Sequence, residues 1–233
     1  YTIGMLNVPT LLTIPIERKA KYSLESFTPI ADIVADPVVM CVRNDSKLQN
    51  LKELVDAAKG GENFTFGTAA IGSDKQISTE QFTAIAGISM KHVPFNGAGP
   101  SRTALLGGHI SISILSLSEA KEFADTKQIR ILGQMTEERT AYLPDVPTFK
   151  EQGYNVVMAS RRGVGAPKGM SKELTDKLAA VCKEVVEDSE FKTKSIDGFQ
   201  TLKFVDAETF TSELAALDTL LHRLWKDNPW VKK

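Results

Sequence analysis

An α/β fold with largely parallel sheets and helices on their faces is predicted by three observations. Short apolar or alternating runs exchange with helical patterns along nearly the whole chain. Small-residue loops follow several of the strands and lead into helix caps. No stretch approaches the ~18 consecutive apolar residues of a membrane-crossing helix. The 233 residues are 42% hydrophobic, enough for one large core or two modest ones. The 28 basic and 29 acidic side chains nearly cancel, to a net charge of -1. No overall field draws the chain to nucleic acid or an anionic membrane surface.

The elements read in order as follows. Tyr1 to Leu6 is a strand. A chain that opens inside a strand, without Met, implies an upstream segment, so a missing signal peptide carries no information. Leu11 to Ala20 is weakly patterned. Ile30 to Val34 and Val38 to Val42 are two extended runs separated by Pro37. Asn50 and Glu53 have capping-box spacing for a helix that Gly60-Gly61 stops. Phe64 to Phe66 is a strand, Gly67 to Ser73 a loop, and Ser73 with Gln76 a second capping box. Met90 to Val93 is a strand, Asn96 to Pro100 a tight loop, and Ser101 to Leu106 a helix. Ile110-Ser111-Ile112-Ser113-Ile114 alternates as a half-buried strand. A helix over Glu119–Ala124, a strand over Ile129–Leu132 and a short helix over Thr148–Gln152 follow. From Val156 to Gly165 the chain is extended. Ser171 starts a long helix with Leu174, Leu178, Val181, Cys182 and Val185 on one face. Thr201 to Val205 is a strand, and Asp206 caps a last helix carrying Phe210, Leu214, Leu217, Leu221 and Leu224.

Three places could carry chemistry. Loop 67–73, with Thr68 and Ser73, either presents hydroxyls and helix N-terminal N–H groups to a carboxylate or is a tight turn with a structural cap. Loop 96–100, with Gly97 and Gly99, has the backbone freedom for an anion site but lacks the Gly-Lys-Ser/Thr of a phosphate loop. Arg161-Arg162 ends an apolar run. Neighbours on a strand face opposite ways, so one arginine faces any given pocket; a surface or internally ion-paired arginine is the alternative. His92, His109 and His222 have no metal-ligand spacing, and no nucleophile elbow or dinucleotide fingerprint is present. Cys41 and Cys182 read as small buried hydrophobes. A metal, a cofactor and an enzymatic role are therefore not expected.

Several segments, in register, resemble one family. Asp145 to Gly153 resembles "PDVPTxxExG", and His92 to Pro100 resembles "HVPYKGxxP". Leu105 to Gly108 resembles "LLGGxVD", and Thr68 to Ser73 stands where the family has "SSGxGS". Tyr22 to Ala31 resembles "YxxxxDFTPIA", and Ala166 to Gly169 resembles "APKG". This is the TctC/Bug family, the substrate-binding proteins of tripartite tricarboxylate transporters.

The resemblance implies a type II periplasmic-binding-protein fold whose first lobe lacks its N-terminal part. Lobe 1 would be residues 1–40 with 161–233 and lobe 2 residues 41–160. A two-strand hinge would lie near Val38–Arg43 and Val157–Gly163. It implies a periplasmic monomer that captures a small di- or tricarboxylate by lobe closure and hands it to membrane permease subunits, or else a periplasmic sensor feeding a membrane receptor. By position, the ligand residues would be Asn7 and Thr10 in one lobe and Thr68, Ala69, Gly72, Ser73, Gly97, Ala98 and Ser116 in the other. Arg161 and Arg162 would join them, Arg162-Gly163 resembling a "WRG" form. Tyr1 resembles the Tyr of a "DGYT" segment. Leu115-Ser116 replaces a usual Asp-Asn, Ala70 a loop Gly and Arg161 a frequent Trp. An arginine facing the cleft would favour a more strongly anionic solute.

Overall fold

The computed structural model describes residues 2–227 and 229–231, so the expectation attached to Tyr1 lies outside the described residues. The chain forms two compact units, Tyr1–Asp36 with Ser160–Lys233, and Pro37–Ala159. It passes between them twice, within strand β2 (Phe27–Arg43) and at the start of β7 (Ala159–Pro167).

Pro37 does not end the strand, as the sequence suggested; β2 runs unbroken through it for 17 residues. A proline has no N–H for a ladder, which matters only where a neighbour needs one. Pro37 sits where β2 changes neighbours: Ala35 N–H reaches Thr201 O, and Val38 N–H reaches Met158 O.

In the first unit β1 (Gly4–Val8) runs antiparallel to β7, and β2 antiparallel to β8 (Leu202–Asp206). Helix α1 (Thr10–Glu17) follows β1 directly. Helix α8 (Ala207–Asp227) buries Phe210, Leu214 and Leu221, a stripe at helical spacing. Its start is as read: Asp206 accepts from Thr209 N–H at 2.9 Å. Helix α6 (Lys172–Glu187) has its Ser171 cap, but the buried stripe is turned from the expected one. Leu178 and Cys182 pack toward Ile30, Ala31 and Ala166. Val181 and Val185 stay 53% and 42% exposed, because Thr175 and Val186 set the inward face. Helix α7 (Ser189–Asp197) was not foreseen; it buries only Ser195 and shows no apolar stripe to read.

The second unit is a sheet in the order β4-β3-β5-β2, with β6 (Ile129–Gln134) on the other side of β2. Strands β3 (Thr65–Thr68), β4 (Lys91–Pro94) and β5 (Ile112–Ser116) are parallel. The largely parallel sheet stops there: β5 and β6 both run antiparallel to β2, giving a mixed sheet. β5 and β6 are joined by helix α5 (Leu117–Asp125), the usual crossover between parallel strands, and the long connecting strand has been inserted between them. Side-chain periodicity carries no sign of strand direction.

β5 is buried on both faces rather than half-buried. Its isoleucines enter the core with Phe66, Phe82 and Phe149, while Ser113 Oγ bonds Ser101 Oγ at 2.8 Å. Helix α2 (Leu51–Lys59) has the expected cap, Asn50 accepting from Glu53 N–H at 2.9 Å. The short helix expected over Thr148–Gln152 is a single turn. Thr148 enters a bridge to Gln134, and Gly153, at φ 91, ends the turn before a second can form.

Candidate ligand-binding site

In the second unit three helix N-termini follow the carboxyl ends of β3, β4 and β5, where open α/β sheets place their ligand loops. Helix α3 (Asp74–Ala86) is capped by Ser73, which accepts from Gln76 N–H at 3.4 Å. The return bond differs from a standard capping box: Gln76 Oε1 accepts from Gly72 N–H, at 2.9 Å. Helix α4 (Ala98–Leu106) starts at Gly97, whose side of the helix end carries no side-chain cap. Helix α5 starts at Ser116 in a capping box with Glu119.

The two candidate loops touch. Phe95 N–H donates to Thr68 O and Gly97 N–H to Ala69 O, each at 2.9 Å. Two glycines permit this. Gly97 stands at φ 110 and ψ 166, a region closed to side chains. A Cβ on Gly67 would lie 2.5 Å from Ile110 and 2.6 Å from Ser101. The structure therefore brings Thr68, Ala69, Gly72, Ser73, Gly97 and Ala98 into one group, with Ser116 at the end of the neighbouring strand.

The hydroxyls face inward. Ser73 Oγ donates to Ala70 O at 2.8 Å. Thr68 Oγ1 lies 3.0 Å from Ala70 O and 2.7 Å from His92 Nε2. A hydroxyl has one proton to give, so Thr68 donates to Ala70 O and receives the Nε2–H of a neutral imidazole. These hydroxyls are spent within the loop and shape it.

His92 stacks on Phe66, with ring centroids 4.9 Å apart, and burial pushes its pKa down to about 4. The unfolded chain takes that proton near the ordinary histidine value of about 6.5. The folded state thus holds a stabilising contribution above that pH and loses it as pH falls from about 6.5 to 4. The ring is half-buried, so the loss is expected to be about 2 kcal/mol or less. Urea midpoints followed across this range should fall more steeply in the wild type than in His92→Gln; equal slopes would refute the assignment.

In the first unit, the β1–β7 register sets Asn7 opposite Arg162 and Val8 opposite Arg161. Directly opposed residues share a face, so Asn7 and Arg162 lie together and Arg161 lies on the other side. Thr10 is the first residue of α1. Arg161 is engaged internally. Its Nε donates to Asp32 Oδ2 at 2.6 Å, a second nitrogen pairs with Glu213, and its guanidinium lies 5.2 Å from the Phe210 ring centroid. Burial holds the Asp32 carboxyl above the usual carboxylate range, with Arg161 pulling the other way, and Asp32 Oδ1 is buried without a partner among the described residues. Arg162 forms no ion pair among the described residues; its guanidinium donates to Arg161 O at 3.3 Å.

Sequence reasoning missed Lys75, which is 4% exposed beside Ser116. The signal available was a lysine in the first turn of a helix, where the macrodipole disfavours a cation.

The chain thus crosses twice between two α/β units, and in the second unit helix N-termini gather at the ends of strands. A solved TctC solute-binding protein from Polaromonas superposes with a TM-score of 0.83 at 27% identity, covering 97% of this chain and 77% of that one. A family model described as the tripartite tricarboxylate transporter family receptor, TctC, matches residues 1–208. The chain belongs to this family. A UPF0065 protein of Bordetella bronchiseptica is 30% identical over 82% of the chain, and one of Cupriavidus necator 26% identical over 80%. The chain spans 56% and 57% of those two relatives' lengths. Two structures from Rhodopseudomonas palustris, solved with adipate and with malate, share the fold at TM-scores of 0.84 and 0.80, with 23% and 22% identity. The first covers 96% of this chain and 76% of its own, the second 97% and 78%. No helix among the described residues is long and apolar enough to cross a membrane.

Proposed function

We propose that the protein captures a small di- or tricarboxylate by closure of its two units and delivers it, unchanged, to the permease of a tripartite tricarboxylate transporter. It does so in the periplasm, as a monomer. The observation that carries this reading is the group of three helix N-termini in the second unit, with α4 lacking a side-chain cap. Oriented N–H donors and the positive end of the helix dipole suit a carboxylate. In the first unit Arg162, set opposite Asn7 by the β1–β7 register, would supply the cation for a carboxylate. Arg161 is already neutralised by Asp32 and Glu213, so it adds no charge to the site and no longer argues for an unusually anionic solute. Relatives of the same fold solved with adipate and malate support a dicarboxylate-sized ligand.

Titration calorimetry of the full-length protein against adipate, malate, citrate and tricarballylate tests this. One-to-one binding of at least one acid is expected, with the acid recovered chemically intact. No heat with any of the four, and no ligand-induced rise in Tm, would end the proposal.

A further inference from the structure

Lys75 is a buried cation in the second residue of α3, among acids that begin two helices. Its Nζ lies 3.0 Å from Ser116 Oγ, 3.3 Å from Asp74 Oδ2 and 3.8 Å from Glu119 Oε2. Only 4% of the lysine and 6% of Asp74 are exposed. Glu119 also accepts from Ser116 N–H, at 2.8 Å, so its carboxylate is held against the start of α5. A lysine at a helix N-terminus is opposed by the dipole, and burying its ammonium adds a desolvation cost; both need a compensating gain.

We infer that Lys75 sets the charge of ligand the site accepts, by cancelling the Asp74 and Glu119 carboxylates next to the N–H donors of α3 and α5. This rests on the proposed function and goes beyond it by naming the residue that fixes ligand charge. With Lys75 present the three side chains carry one net negative charge; without it they carry two. The extra charge would act on each carboxylate of the ligand through a medium of low effective dielectric. A dianion therefore loses more than a monoanion of the same length. Lys75 is a positioning residue: it acts through Asp74, Glu119 and Ser116, and the ligand meets backbone.

The test compares the full-length wild type with Lys75→Met, Glu119→Gln and the double variant, each titrated with adipate and with its half-amide, adipamate. Glu119→Gln keeps an oxygen for Ser116 N–H while removing the charge. Lys75→Met is expected to weaken adipate about tenfold more than adipamate, tenfold being about 1.4 kcal/mol. Glu119→Gln is expected to tighten adipate, and the double variant to return toward the wild-type preference between the two acids. A merely structural lysine would weaken both acids equally and would not be compensated by Glu119→Gln. That pattern, or an unchanged preference in Glu119→Gln, overturns the inference while leaving the proposed function standing. Failure of the wild type to bind any carboxylate removes both.

Discussion

Arg161→Met is expected to destabilise the first unit by about 3–5 kcal/mol, the range for removing one partner of a buried ion pair. Asp32 is fully buried and already has one oxygen without a partner among the described residues. Take away the guanidinium and its other oxygen loses a 2.6 Å charge-assisted hydrogen bond as well. Arg161→Lys should fall between, since one ammonium cannot reproduce a planar fork that reaches both Asp32 and Glu213. The double variant Arg161→Met/Asp32→Asn should recover more than half of the loss, because the stranded charge is gone. Urea unfolding of the four proteins checks this. A single variant as stable as the wild type, or a double variant no better than the single, would show that the pair is not what holds β7 to β2 and α8.

The neighbouring arginine is expected to behave in the opposite way. Arg162→Gln should change stability by less than about 0.5 kcal/mol, since Arg162 is half-buried and has no carboxylate partner among the described residues. Under the proposed function it should weaken dicarboxylate binding about 10- to 100-fold, corresponding to the ~1.5–3 kcal/mol of a hydrogen bond to a charged group. Under that reading one residue would serve the fold and the next the ligand, separated by the alternation of a strand. Calorimetry on the two variants distinguishes the roles. Loss of affinity in Arg161→Met at temperatures where it remains folded, with none in Arg162→Gln, would reverse the assignment.

How far the sequence could be read follows the range of each interaction. Helix starts at Asn50, Ser73, Ser171 and Asp206 were legible because a cap is made within three or four residues. The touching loops 67–73 and 96–100 were each legible as small-residue turns, although their contact, Gly97 to Ala69, needed the parallel pairing of β3 and β4. Strand direction was not legible, since an alternating run looks the same whichever way its neighbour travels. Nor was the fate of Arg161, whose partners lie 129 and 52 residues away. Lys75 was passed over for a similar reason: its neighbour Asp74 is adjacent, but Ser116 is 41 residues on. At Thr68 and Ser73 the plain reading of a structural turn describes the hydroxyls, and the anion-binding reading moves to the backbone around them.

The central claim is that a carboxylate is held by backbone N–H groups at the helix starts of the second unit. Amide chemical shifts of the isotope-labelled full-length protein, recorded during titration with a dicarboxylate that binds it, test this most directly. The account predicts that the largest shifts fall at residues 69–75, 97–99 and 117–119. Saturable binding that leaves those amides unmoved would contradict it.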